Sequence, residues 1–309
     1  MRLTPSFLIC GGRRCGAGVL YRALAAHPAL LAAGTLDYFD LWYGLGPRWY
    51  RSRFPTARVG PARAARLAAA VAPTDAPVPL ATFEASAGYL YHPHAPARIA
   101  AALPDVKLLV VVRDPVTRAW SQHAHEVAVG HEWERDFGAA LDLEAVRLDG
   151  EVERLVTDGN YDSFAHRHHA YRANGEYVVY LDALATCVDR DRILVVDAGR
   201  LRVEPQPVYD RVLEFLGLPN LGYPTVPRRL ARYRGAAMDP AVRRDLTDHY
   251  EKYDARLVAW LGHQPSWRAE PSGHVEPSGH AEPTSQRELT SQPEPIRSGV
   301  DTDREDVTS

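Results

Sequence analysis

Lys107-Leu108-Leu109-Val110-Val111-Val112-Arg113-Asp114-Pro115-Val116-Thr117-Arg118-Ala119-Trp120-Ser121 decides the architecture of this chain. Leu108 to Val112 is an unbroken apolar run of strand length, with no polar residue to give it a solvent face. It stops abruptly at Arg113-Asp114-Pro115. Asp before Pro is a helix-start signal, because the carboxylate caps free N–H groups and proline has none to lose. A buried strand that runs straight into a helix is half of a parallel α/β unit. The same stretch sets Arg113 at the carboxyl end of the strand and Ser121 eight residues later, in the helix. A guanidinium fork and a hydroxyl so placed can close on one phosphate.

A second strand-loop-helix lies near the amino terminus. Ser6-Phe7-Leu8-Ile9-Cys10 is a short apolar run, and Gly11-Gly12-Arg13-Arg14-Cys15-Gly16-Ala17-Gly18 leads from it into the amphipathic Val19-Leu20-Tyr21-Arg22-Ala23-Leu24. Glycines let the backbone turn and approach a ligand, and the helix start offers N–H groups to an anion. Arg13 and Arg14 add charge. This is not a Walker A loop, which ends in Gly-Lys-Ser/Thr where this chain has Gly16-Ala17-Gly18. A P-loop kinase is therefore disfavoured. Further strands are expected at residues 78–83 and 192–196. Helices are expected at 16–26, 61–71, 95–102, 116–127, 164–173, 176–185, 207–216 and 240–261. The alternation predicts an α/β fold, a parallel sheet flanked by helices that binds ligands at the carboxyl ends of its strands. The loops after Cys10 and Val112 then face one nucleotide.

The order and spacing of these motifs resemble the sulfotransferases that use 3′-phosphoadenosine 5′-phosphosulfate (PAPS), in the bacterial branch related to heparan sulfate N- and O-sulfotransferases. The family's phosphosulfate loop, Gly-x-x-Lys/Arg-x-Gly-Thr-Thr-Ser-Leu, corresponds to Gly11 through Leu20. The resemblance continues through His27-Pro28, Trp49-Tyr50, Phe54-Pro55, Glu84 to Leu90, the complete Arg113 to Ser121 motif, and Phe215 to Pro219. It covers residues 6–267 and implies a P-loop-like sulfotransferase fold, PAPS as co-substrate and no metal. It also implies that Gly11, Gly12, Arg13, Arg14, Cys15, Gly16, Ala17, Gly18 and Val19 bind the 5′-phosphosulfate, and Arg113 with Ser121 the 3′-phosphate. The departures are specific. Ala17 and Gly18 replace two threonines. Thr35 stands where relatives carry a glutamate base. Asn174-Gly175-Glu176-Tyr177 replaces Arg-Gly-x-Tyr, and Gly199-Arg200 replaces an acidic pair.

Arg14 is the first candidate for charge stabilisation at the leaving group; Arg13 is expected to face solvent. His125 lies one helical turn after Ser121, on the same face, and can act as base or donor; His123 is expected on an exposed face. Glu84 and Asp37 are candidate bases in place of the missing glutamate, with Asp37 on the face of Thr35 if that segment is extended. The alternative for Glu84 is an ion pair with an arginine. Asp114 and Arg118 are expected to cap and brace the helix. The aromatic segment from Tyr38 to Tyr43, with Trp49 and Tyr50, is expected either in the core or as a wall for a sugar-like or apolar acceptor. Arg228, Arg229, Arg232 and Arg234 fall where relatives close a loop on the nucleotide.

Cys10, Cys15 and Cys187 are too few and too irregular for a disulfide framework or zinc site. Cys15, beside two arginines, is expected to have a lowered thiol pKa or simply to pack under the loop. After Trp267 the chain becomes rich in Pro, Ser, Glu and Gly, and Glu-Pro-Ser-Gly-His recurs at 270–274 and 276–280. Such composition cannot offset its ordering entropy, so residues 1–267 are expected to fold as one domain and 268–309 to be a disordered tail. The tail carries four arginines and nine acids, leaving 32 basic and 30 acidic residues in the domain. That slight basic balance suits a polyanionic donor and not a nucleic-acid surface. No long apolar segment opens the chain, so no membrane span and a cytoplasmic setting are expected. The expected function is sulfuryl transfer from PAPS to a small-molecule or carbohydrate acceptor. With only Lys107 and Lys252 among its lysines, the chain suggests a high-GC bacterium and secondary metabolism. The alternative is a catalytically impaired relative that binds nucleotide or a partner.

Overall fold

Short apolar runs build a five-stranded, all-parallel sheet. Its strands are β1 (Pro5–Ile9), β2 (Leu30–Ala32), β3 (Ala81–Ala85), β4 (Lys107–Val112) and β5 (Ile193–Asp197), in the order β2-β3-β1-β4-β5. The computed structural model describes residues 2–56, 80–225 and 237–269. From Leu108 to Val112 every residue of β4 is buried. Successive side chains point to opposite faces, so both faces of the sheet are covered. Phe7 and Phe83 stack across the β1–β3 pair with ring centroids 4.7 Å apart.

The helices are α1 (Ala17–Ala26), α2 (Gly46–Ser52), α3 (Ala95–Ala102), α4 (Pro115–Val129), α5 (Phe137–Leu148), α6 (Glu151–Thr157), α7 (Phe164–His168), α8 (Tyr177–Ala185), α9 (Ala198–Val203), α10 (Pro205–Leu216) and α11 (Pro240–Leu261). The expected helix at 164–173 ends at His168. Five elements were not expected from the sequence: the short strand β2 and the helices α2, α5, α6 and α9. The helix expected at 61–71, the start of the strand expected at 78, the arginines at 228–234 and the chain beyond 269 lie outside the described residues.

Asp114 caps α4, accepting from the N–H groups of Val116 and Thr117 at 3.1 and 3.4 Å, with Pro115 at the first helical position. Arg118, fully buried, braces the same helix through Gln122 Oε1 at 2.6 Å and the Tyr171 carbonyl. A second apolar cluster, including Val116, Ala119, Phe137, Leu141, Leu246 and Tyr250, packs α4 against α5 and α11. The folded unit reaches slightly past the expected boundary. Arg268 Nε and Trp267 Nε1 both donate to Asp254 Oδ2, at 2.7 and 2.9 Å.

Candidate active site

β1 leads by β2 and β3 to one side of the sheet, and β4 and β5 lie on the other. The order therefore reverses between β1 and β4, and the crevice at their carboxyl ends is the place for a ligand. The pairing of these strands extends into their loops. Cys10 N–H donates to the Leu109 carbonyl at 2.8 Å and Gly12 N–H to Val111 at 2.9 Å. The arginine-bearing loop and the start of α4 are thus held side by side.

Packing dictates the glycine at position 12, where a Cβ would lie 2.4 Å from Cys15 Sγ and 2.9 Å from the Tyr91 hydroxyl. Backbone conformation dictates it at position 16, where φ is 85°. Gly16 begins α1 with no side-chain cap, so the first N–H groups of the helix, at Ala17 and Gly18, are available to an anion. Gly18 is not among the residues with positive φ, and a Cβ there meets only Arg22 Nη1, at 3.4 Å.

Arg14 also adopts a left-handed backbone, with φ of 66°. Its Nε donates to Ser121 Oγ at 3.4 Å. Arg113 Nη1 donates to the Arg14 carbonyl at 3.2 Å, and its Nε and Nη2 are held by the Thr117 hydroxyl and carbonyl. Arg14, Arg113 and Ser121 therefore come together at the carboxyl ends of β1 and β4, as a phosphate site requires. Burial, and then the charge of Arg113, press the Arg14 pKa below its usual value. A guanidinium does not discharge under this pressure, so an anion placed there relieves it.

Tyr177 ties the two loops together. Its hydroxyl donates to the Arg113 carbonyl at 2.8 Å and lies 3.3 Å from Cys15 Sγ. Cys15 is buried, and that burial raises its thiol pKa despite the nearby arginines. The expectation of a lowered pKa is corrected: desolvation of the thiolate outweighs the cations, and Cys15 packs beneath the loop.

Glu84, a candidate base in the sequence, is fully buried. Its oxygens accept from Tyr50 (3.0 Å), Tyr89 (2.7 Å) and Ser86 (2.7 Å) hydroxyls, with no arginine partner among the described residues. Burial raises its pKa to about 7. The Ser86 hydroxyl also accepts from the N–H groups of Leu36 and Asp37 at 3.3 and 2.9 Å. Glu84 therefore holds the Asp37 turn from below. That turn is not extended: Asp37 has φ of 47°. The Asp37 carboxyl is partly buried, its pKa raised by desolvation and drawn back by Ser86 and Arg13. Asp40, three residues on, has its pKa raised to about 7, first by burial and then by the charge of Asp37.

Asp40 lines two adjoining cavities, both open to solvent, that share Asp40, Leu41, Tyr161 and Asp162. Arg13 lines the first with His92, His166, Arg167 and Asn174; it faces this cavity and is only partly exposed. The aromatic segment divides. Tyr38, Phe39 and Tyr50 stack in the core, whereas Trp42 and Tyr43 are exposed and line the second cavity. Sequence reasoning missed Asp40, although its offset of three residues from Asp37 is a signal of shared surroundings.

The expected exposure of His123 is corrected. His123 is buried and bonded through Nε2 to the Glu134 carbonyl at 2.8 Å. His125 is exposed. Its pKa is lowered by partial burial and by Arg14, which keeps the ring neutral near pH 7.

Residues 4–226 match the sulfotransferase domain family. Over 230 residues the chain is 26% identical to the mouse bifunctional heparan sulfate N-deacetylase/N-sulfotransferase 4, with 71% of this chain but 23% of that protein covered. It is 25% identical to human heparan sulfate glucosamine 3-O-sulfotransferase 3B1, covering 85% of this chain and 65% of that one. The chain thus spans under two thirds of the length of either. The crystal structure of a sulfotransferase from Alicyclobacillus acidocaldarius superposes with a TM-score of 0.57 at 26% identity, covering 84% of this chain and 96% of that one. A parallel sheet flanked by helices, an uncapped helix start beside two arginines, and a domain match over most of the chain agree: this protein belongs to the sulfotransferase family.

Proposed function

We propose that this protein transfers a sulfuryl group from PAPS to a hydroxyl or amine of a small-molecule or carbohydrate acceptor. The observation that carries the reading is the convergence of Arg14, Arg113 and Ser121 beside the uncapped start of α1. These residues fit a nucleotide that bears a phosphate at each end of its ribose. PAPS, when bound, supplies the activated sulfuryl group and a phosphate leaving group. Ala17 and Gly18 N–H groups hold the 5′ end, with Gly11, Gly12 and Val19 shaping the loop; Arg113 and Ser121 hold the 3′-phosphate. Arg14 stabilises charge on the bridging oxygen as the bond breaks. His125, neutral and near Arg14, can donate or accept a hydrogen bond at the transferring group.

The acceptor occupies the cavities that Arg13, Asp40 and Tyr161 line. Asn174 Oδ1 is buried at the first cavity and takes no hydrogen bond from the described residues, so a hydroxyl or amine of the acceptor would satisfy it. Trp42 and Tyr43 offer flat faces to a sugar ring or apolar group. Asp40 is our choice of base, with Asp37 as the charged neighbour that raises its proton affinity. Among the described residues no helix is long and apolar enough to cross a membrane.

The test is turnover with labelled donor against a panel of neutral and amino sugars and phenols, measured from pH 5.5 to 9. A base must be deprotonated to act, so the rate should rise with pH and level off above about 7. Asp40→Asn should flatten that limb. Arg14→Ala should raise the barrier by roughly 2.7–4 kcal/mol, as loss of one preorganised donor does. Donor binding without turnover on any acceptor would instead favour the impaired relative, in which Ala17 and Gly18 have cost the loop its chemistry.

A further inference from the structure

The resemblance to metal-independent enzymes and the scattered positions of its ligands in sequence give no hint of a metal. The folded chain nevertheless gathers Glu126, His131 and His168, whose ligand atoms all lie within 4.8 Å of one another. Glu126 lies in the last turn of α4, His131 just past the Gly130 cap and His168 at the end of α7. Both imidazoles aim the same nitrogen at the same oxygen: His168 Nδ1 is 2.8 Å and His131 Nδ1 3.2 Å from Glu126 Oε2. Glu126 is 2% exposed, and imidazoles are its only ion-pair partners among the described residues. His131 is placed by the chain reversal, where its N–H donates to the Glu126 carbonyl at 2.8 Å. The two rings lie 4.2 Å apart at 63° and pack on Phe164.

We propose that Glu126, His131 and His168 form a binding site for a divalent transition-metal ion, best suited to zinc. Two imidazoles and one carboxylate are a zinc ligand set that leaves the fourth position to water. Bonds of about 2.0–2.1 Å in a tetrahedron put ligand atoms roughly 3.3–3.4 Å apart, so small ring movements suffice. The open position faces solvent through His131, whose side chain is 43% exposed. Binding forms two N–Zn bonds and one O–Zn bond, and each neutral imidazole keeps its single proton, now on Nε2. The Nε2 of His168 lies 3.4 Å from Arg167 Nη2. As a donor it turns from that contact, and Arg167 remains paired with Asp162 at 2.5 Å. The fields of Arg13 and Arg14 reach Glu126 and oppose a cation, which sets the expected affinity in the micromolar range and not below. The ion would pin the end of α4, the helix that carries Ser121 and His125, to α7.

The experiment is zinc titration of the full, chelator-treated chain by calorimetry, with cobalt substitution followed by visible ligand-field absorption. One equivalent of zinc should bind in the micromolar range, and cobalt should give a tetrahedral spectrum. Glu126→Gln and His131→Ala should each weaken binding by more than about 100-fold, beyond the 10–100-fold typical of an outer-shell partner. The double variant His274→Ala with His280→Ala, which removes the tail histidines, should leave the site intact. No binding at tens of micromolar protein, or zinc affinity unchanged in both ligand variants, overturns the proposal and leaves Glu126 as a carboxylate held by two imidazole N–H groups. His131 is partly exposed, so its variant keeps the test decisive if Glu126→Gln does not fold.

Discussion

Replacing Arg113 with alanine tests its proposed contact with the 3′-phosphate. Arg113 is only partly buried, and the bonds that hold it, to Thr117 and to the Arg14 carbonyl, are 3.2–3.3 Å long. These weak restraints orient the guanidinium and leave donor capacity for a ligand. A hydrogen bond to a charged group contributes about 1.5–3 kcal/mol. Its loss should weaken binding of 3′-phosphoadenosine 5′-phosphate about tenfold to somewhat over a hundredfold. Calorimetry measures this directly. The same bond to the Arg14 carbonyl creates a confounder, because removing Arg113 also loosens the phosphosulfate loop. Adenosine 5′-phosphosulfate separates the two, since it has no 3′-phosphate and should bind wild type and variant alike. Equal affinity of both proteins for the bisphosphate would refute the assignment. An equal loss for both ligands would also refute it, and would make Arg113 a brace for the loop. Ser121→Ala, with a neutral hydroxyl at stake, should cost about 0.5–1.5 kcal/mol.

The backbone of the loop predicts opposite outcomes two residues apart. Gly16→Ala forces a side chain into the left-handed region and should destabilise by about 1–2 kcal/mol, read as a lower Tm, whereas Gly18→Thr should fold normally and raise donor affinity by returning a hydroxyl to the helix start. Glu84 binds its proton more tightly when folded, its pKa lying at about 7 against 4.5 for the free group. Its contribution to stability is therefore present below pH 4.5 and lost as pH rises to about 7, about 3 kcal/mol in all; Glu84→Gln should flatten that part of the denaturation profile, and an unchanged slope would place the proton elsewhere. Truncation after Glu270 should leave Tm and donor affinity as they are, while Arg268→Ala, which strips the nearly buried Asp254 of a partner, should lower Tm in the full chain.

What the sequence makes legible is what is written locally. β4 and the start of α4 are read almost to the residue because burial, cap and proline all lie within one stretch. β2 is hidden because three residues of an edge strand, Leu30–Ala32, carry no periodicity. The proposed donor site is half legible. Arg14 and Ser121 are 107 residues apart, and only a parallel sheet, itself inferred from alternating elements, brings their loops together. The acceptor side is not legible, because its geometry rests on two facts that no pattern contains. One is the left-handed turn at Asp37, which defeats any assignment of faces by strand alternation. The other is the three hydroxyls, from Tyr50, Ser86 and Tyr89, that converge on Glu84. A glutamate in a family-like motif reads as chemistry until its partners are known; with both oxygens engaged by hydroxyls and no exposed surface, it is a support. In the proposed reading the proton-accepting role falls instead to Asp40 at the cavity wall, next to the Asp37 turn that Ser86 and Glu84 hold. On that proposal the turn after Thr35 offsets the loss of a glutamate there, and the substitution alone does not mark the chain as inactive.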